Sequence, residues 1–175
     1  DNSDTRYPSY LTDEQFDSDP YQNGTGKNYT FREAKSSSTN LKIKRKWGNN
    51  FEFTTNRSVI DRENQNTYWY SSGTVDNYKY DYNSNDYLLT YTNGNIKIDN
   101  GINMFDGKRT VTSTTASNRN TTSKENLGIF SQLQYSRENS VFTIGARNEK
   151  VDYEYNPESG SKLTGEYDLN AFEIG

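Results

Sequence analysis

Apolar and polar residues alternate along much of this chain, and the alternation restarts after each of three short polar turns. Leu41, Ile43 and Trp47 share one side of residues 30–47, with Lys42, Lys44 and Lys46 on the other. After Gly48-Asn49-Asn50, Phe51, Phe53 and Thr55 alternate with Glu52, Thr54 and Asn56. Tyr87, Leu89 and Tyr91 precede Thr92-Asn93-Gly94-Asn95, and Ile96, Ile98, Ile102 and Met104 follow it. Leu127, Ile129, Leu133 and Tyr135 lead to Ser136-Arg137-Glu138-Asn139, and Phe142, Ile144 and Ala146 lead away. Side chains flip face at every residue of a strand, so a period of two marks a one-sided sheet. The pattern predicts seven strands, near 30–47, 50–60, 78–92, 95–106, 124–136, 139–154 and 165–175. Residues 1–29 read as an extended loop with one helical turn near Thr12 to Phe16, where Thr-Asp-Glu-Gln gives a capping signal.

An aromatic residue stands before each short turn: Trp47, Tyr91 and Tyr135, at equal intervals. Long polar stretches separate the hairpins, at 61–79, 106–124 and 156–164. Short turns at one end, long loops at the other and aromatics near the short turns are the layout of a transmembrane β-barrel. The expected fold is therefore all-β, an antiparallel up-and-down transmembrane barrel segment spanning 30–175. The short turns would be periplasmic and the long loops extracellular.

Composition sharpens this reading. Only 29% of the 175 residues are hydrophobic, and the mean hydropathy is −1.17. That is little apolar mass for a two-layer soluble core. Disorder is disfavoured by the 14% aromatic content, with 15 Tyr. A membrane barrel needs no second layer, because lipid covers its outer face. Leu89, Ile98, Ile102, Ile129, Phe142 and Ile144 are the expected lipid-facing residues, and Trp47, Tyr91 and Tyr135 the interfacial girdle. The opposite faces, with Lys97/Asp99/Asn103 and Thr143/Arg147/Glu149, suit a wet lumen. An odd strand number is unlike bacterial barrels, so a fragment of a larger protein is expected.

The chain has no Cys and no His, which excludes thiol and His-based chemistry within it. A net charge of −4 gives no reason to expect nucleic acid. No carboxylate is marked by an apolar setting, so no catalytic residue is assigned and no enzyme is expected. Asp13, Glu14, Asp17 and Asp19 lack the spacing of a calcium loop, and neither a metal nor a cofactor is assigned. Tyr68, Trp69 and Tyr70, followed by Tyr78, Tyr80 and Tyr82, are candidates to stack on a ligand ring; the alternative is an outer aromatic girdle. Arg57, Arg62, Lys108 and Arg109 are candidates to attract an anionic complex, with loop solvation or lipopolysaccharide contact as the alternative.

Residues 125–154, ENLGIFSQLQYSRENSVFTIGARNEKVDYE, resemble a hairpin of TonB-dependent outer-membrane receptors. Asn126, Gly128, Phe130 and Gln132 match the first strand, and Phe142, Gly145 and Arg147 the second, with Tyr135 and Tyr153 alongside. Residues 94–107, GNIKIDNGINMFDG, are similar to the preceding hairpin. Residues 6–20, RYPSYLTDEQFDSDP, resemble a loop of iron-complex receptors, with Ser9 where Gly is more usual. The resemblance implies a Gram-negative outer-membrane location and energy-coupled uptake of a ferric siderophore or similar iron complex. Expected partners are outer-membrane lipid and lipopolysaccharide, the iron complex, and the inner-membrane TonB complex acting through an N-terminal segment outside this chain. Ligand contact is assigned to Tyr68, Trp69, Tyr70, Arg62 and Arg109. The rival readings are a secreted all-β carbohydrate- or surface-binding module of lectin or adhesin type, and a passive porin.

Overall fold

Each hairpin closes tightly, and the strands then run paired for almost their whole length. The computed structural model describes residues 2–7, 12–20, 30–68 and 74–175. Its strands are β1 (Asn2–Tyr7), β2 (Thr30–Trp47), β3 (Phe51–Tyr68), β4 (Thr74–Asn93), β5 (Ile96–Ser113), β6 (Asn120–Arg137), β7 (Ser140–Pro157) and β8 (Leu163–Ile174). They form one 8-stranded antiparallel sheet in the order β1 to β8, each strand paired with its sequence neighbour. The sheet is open, with β1 and β8 at its edges. A short helix, α1 (Asp13–Ser18), lies between β1 and β2. Its capping box is the one the sequence signals: Thr12 Oγ1 accepts from the Gln15 N–H at 3.3 Å, and Gln15 Oε1 accepts from the Thr12 N–H at 3.0 Å.

Two expectations are corrected. The strands among the described residues number eight, because the polar run Asn2–Tyr7 pairs with the start of β2 through Asn2↔Lys35 to Tyr7↔Thr30. Strand parity therefore carries no argument for a fragment. Two of the polar stretches read as long loops, 61–79 and 106–124, are mostly strand, whereas 156–164 is mostly the β7–β8 connection. β3 runs to Tyr68, β5 to Ser113 and β7 to Pro157, and each partner strand starts within a few residues. Thr, Tyr and Asn there keep the backbone ladder going although the apolar pattern has ended. At about 3.3 Å per residue, the 18-residue strands are about 60 Å long.

The registers carry no bulge, so each row of side chains can be followed across the sheet. One face, here face A, carries Leu41, Phe53, Leu89, Ile98, Leu133 and Ile144. The other, face B, carries Thr54, Asp99, Gln132, Thr143 and Arg147. In the half nearer the short turns, face A is apolar and face B polar. Beyond Met104 and Leu127 the polarity inverts. Face A there is charged and mainly acidic, with Asp106, Glu125, Asp152 and Glu166 aligned in one row. Face B there carries Ile60, Tyr78, Tyr80, Tyr82 and Phe105. From β2 to β6 every exposed large hydrophobic residue lies on face A, whereas Val111, Tyr80, Tyr82, Phe105 and Phe130 on face B are buried or half-buried. Face B is thus the crowded, concave side.

Gly48 and Gly94 hold φ of +59 and +55 in their turns, which glycine adopts without strain. The third turn places Glu138 at φ 46. An L-residue with a Cβ is disfavoured there. Glu138→Gly is expected to stabilise the hairpin by about 1 kcal/mol, read as a higher denaturation midpoint.

Candidate functional site

The two arginines singled out in the sequence meet around one tyrosine. Arg62 of β3 is in register with Tyr80 of β4, and Tyr80 with Arg109 of β5. All three lie on face B, with the arginines two strand spacings apart, about 10 Å between backbones. Arg57 and Lys108 fall on face A instead, so the four basic candidates divide between the two faces. Tyr68 ends β3; its side chain, and Trp69 and Tyr70 entirely, lie outside the described residues.

The next row toward the turns brings in Tyr82, paired with Ile60 and Gly107. A Cβ at Gly107 would stand 2.6 Å from the Phe105 ring and 2.9 Å from that of Tyr82. The missing side chain therefore lets both rings lie low over the sheet. Tyr80 and Tyr82 have ring centroids 5.9 Å apart, and Tyr82 and Phe105 5.8 Å. These are tilted aromatic contacts within the favourable range. The result is a continuous shelf, Tyr80–Tyr82–Phe105, with guanidinium groups beside its outer end. Burial, and then Tyr80, push the Tyr82 hydroxyl above its ordinary pKa, while Arg109 and Arg62 pull it down. It stays a proton donor at neutral pH.

The guanidinium groups are held by neutral partners. Arg62 Nε donates to Asn64 Oδ1 at 3.1 Å, and Arg109 Nη2 donates to Asn120 Oδ1 and Thr122 Oγ1, both at 3.2 Å. Neither is paired with a carboxylate among the described residues. The acid on this part of face B, Asp76, receives hydrogen bonds from Ser113 and Tyr78.

Below the shelf, on the same face, charges are matched. Two same-strand ion pairs form: Lys97–Asp99 at 2.6 Å and Arg147–Glu149 at 2.9 Å. Arg147 Nη1 also donates to Asn103 Oδ1 at 2.8 Å, and Asn103 Nδ2 to Asp86 Oδ1 at 2.8 Å. Asn126 Nδ2 closes the chain on Glu149 at 2.6 Å. Arg147 lies flat, where a Cβ at Gly128 would meet Nη2 at 2.6 Å. Its guanidinium sits 5.9 Å from the Phe130 ring centroid, and Phe130 in turn covers Gly101. Gly128, Phe130 and Arg147, three of the residues that carried the family resemblance, are thus one packing unit.

On face A the expected lipid-facing residues fall together. Ile98 pairs with Leu133, Leu133 with Ile144, Ile102 with Ile129, and Phe142 with Tyr135; Leu89 faces the same way. Trp47, Tyr91 and Tyr135 lie on this face near the short turns. The largest described groove, about 690 Å³, is also on face A. The small residues Asn100, Ser131 and Ala146 floor it, with Leu89 and Phe172 at its ends. It is separate from the arginine–tyrosine shelf and is lined mainly by apolar surface.

The acidic residues of α1 gather no site. No group of three or more Asp or Glu side chains positioned for a metal ion occurs among the described residues. No helix among them is long and apolar enough to cross a membrane. Sequence reasoning missed Phe105 as a partner of the tyrosines; the signal was Phe105-Asp106-Gly107, an aromatic two residues before a glycine on the same face. No protein-family model matches the chain, and no curated protein sequence is similar to it.

Proposed function

We propose that this chain is part of a transmembrane β-barrel in a bacterial outer membrane, and that the barrel is a TonB-dependent receptor taking up a ferric siderophore or similar iron complex. The observation that carries the membrane reading is the one-sided apolar band. It runs from the short turns to Met104 and Leu127, over Ile96–Met104 of β5 and Leu127–Tyr135 of β6. Each of these runs has nine residues, and a tilted strand crosses the hydrocarbon in about 9–11. Ile129, Phe142 and Ile144 in it are 53%, 60% and 55% exposed. So many exposed apolar residues on one face are rare on a soluble monomer. Lipid would cover it, and acyl chains would fill the groove over Asn100, Ser131 and Ala146.

The concave face fits a lumen, with its charges paired at the level of the band. The polar half of each strand would stand outside the bilayer, its charged face toward water. The uptake reading rests on the resemblance of residues 125–154 and on the shelf facing the concave side.

A soluble lectin- or adhesin-like sandwich remains the competing class, because the connections are short at both ends. It needs a second layer over face A.

The test is uptake. Cells lacking the reading frame that contains this chain should lose uptake of a labelled ferric complex under iron limitation. Dissipating the proton gradient should abolish uptake in wild-type cells. Gradient-independent passage would point to a porin, and recovery of the protein in the soluble fraction would overturn the barrel.

A further inference from the structure

Charge on the outer half of the sheet is sorted by face. Face A beyond Met104 and Leu127 is mainly acidic, with the row Asp106–Glu125–Asp152–Glu166. Among the described residues, face B over the same stretch carries Arg32, Arg62, Arg109 and Lys124 against the single acid Asp76. Opposite charges would normally be interleaved on a solvated strand surface. Within the band, face B does interleave them and pairs them. The excess positive charge appears only where the aromatic shelf begins. Arg62 and Arg109 are held in place by neutral amides and a hydroxyl, so their charge is oriented and not cancelled.

From this geometry we infer that the shelf binds a multiply anionic small molecule bearing flat aromatic rings. The rings lie on Tyr80, Tyr82 and Phe105, and the anionic oxygens meet Arg62 and Arg109. Guanidinium groups bind such oxygens through strong charge-assisted hydrogen bonds. Aromatic faces supply the contact area for the rings. A neutral sugar would use the tyrosines but would leave two oriented cations unanswered. A neutral iron chelate without rings would use neither. This narrows the ligand of the proposed receptor and rests on that reading only for the shelf facing a ligand entry path.

The probes are the trianionic ferric tris(catecholate) complex and a neutral ferric trihydroxamate. The receptor containing this chain is reconstituted in detergent or membranes, and binding is read from quenching of its Tyr and Trp fluorescence. The trianion should bind, and the trihydroxamate should not compete. Arg62→Gln and Arg109→Gln should each weaken trianion binding about tenfold, the loss of one charge-assisted contact. Tyr80→Leu should weaken it with both arginines intact. Membrane assembly of each variant is measured in parallel by resistance to extraction and heat-modifiable migration. Equal binding of the two probes, or trianion binding unmoved in the arginine variants, overturns the inference. Trianion binding by a protein that does not assemble in membranes would keep the shelf and remove the barrel.

Discussion

Ile144→Arg is expected to cost about 2 kcal/mol in the membrane-assembled protein, because Ile144 lies between the girdle row Tyr135–Phe142 and the middle row Ser131–Ala146, and a charge costs about 2–4 kcal/mol at the middle of the hydrocarbon and about 0–1 near its edges. Ile144 lies on face A between Leu133 and Ile174 in register. It is 55% exposed. In water, a substitution at so exposed a position usually changes stability by only about 0.5 kcal/mol either way. Lipid and water thus predict very different outcomes for one change. Ile98→Arg should behave like Ile144→Arg. Thr143→Arg, one residue away on face B, should be milder because it adds its charge to a polar surface. The checks are the heat-modifiable shift and the urea midpoint of the assembled protein. Equal assembly of all three variants would sink the assignment of faces.

Gly101→Val should destabilise the sheet by about 1–3 kcal/mol, the usual cost of forcing extra volume into a packed place. A Cβ at Gly101 would stand 2.2 Å from the Phe130 ring, so the ring has to leave. Phe130 also lies under the Arg147 guanidinium, and Arg147 ties Asn103 to Glu149. Displacing the ring therefore disturbs the polar chain across β5, β6 and β7. The effect should be specific to this contact. In a Phe130→Ala background, Gly101→Val should cost much less, and the difference between the two backgrounds measures the coupling. Equal cost in both backgrounds would show that the glycine matters for another reason.

The half of the sheet nearer the turns was legible in the sequence. Leu, Ile, Phe and Tyr alternate there with Lys, Thr, Gln and Asn, and three turn sequences fix where each strand reverses. The Thr12–Gln15 cap was legible for the same reason, because its chemistry is local. The outer parts of β3 and β5 read as loop because the apolar side of the sheet changes face there. A reader following apolar residues outward from Ile98 and Ile102 meets Asp106 and Lys108 and stops. The continuing strand was visible as Tyr78-Lys79-Tyr80-Asp81-Tyr82, an alternation of the opposite sense. β1 had no apolar signal at all, since Asn2–Tyr7 is joined by its backbone ladder to β2.

The candidate site was legible only as separate residues. Arg62 and Arg109 were marked by their charge, and the tyrosines by their density. Their meeting around Tyr80 depends on two registers at once, and a slip of one residue in either would move an arginine to the other face. Arg57 and Lys108, neighbours in composition, fall on face A by that same rule. The role of Gly107 under Tyr82 and Phe105 is likewise a cross-strand fact.

The most direct test of the membrane reading is a cysteine scan, to which this chain contributes no native Cys. Single cysteines at Ile102 and Ile129 sample face A in the band, at Gln132 and Thr143 face B, and at Asp106 and Asp152 the charged outer half. Each is spin-labelled in the receptor containing this chain, assembled in bilayers, and probed with oxygen and a water-soluble nickel chelate. Positions 102 and 129 should be reached by oxygen and shielded from nickel, while positions 132, 143, 106 and 152 should be reached by nickel. Nickel access at 102 and 129 equal to that at 106 and 152 would show that face A meets water, and the barrel reading would fall.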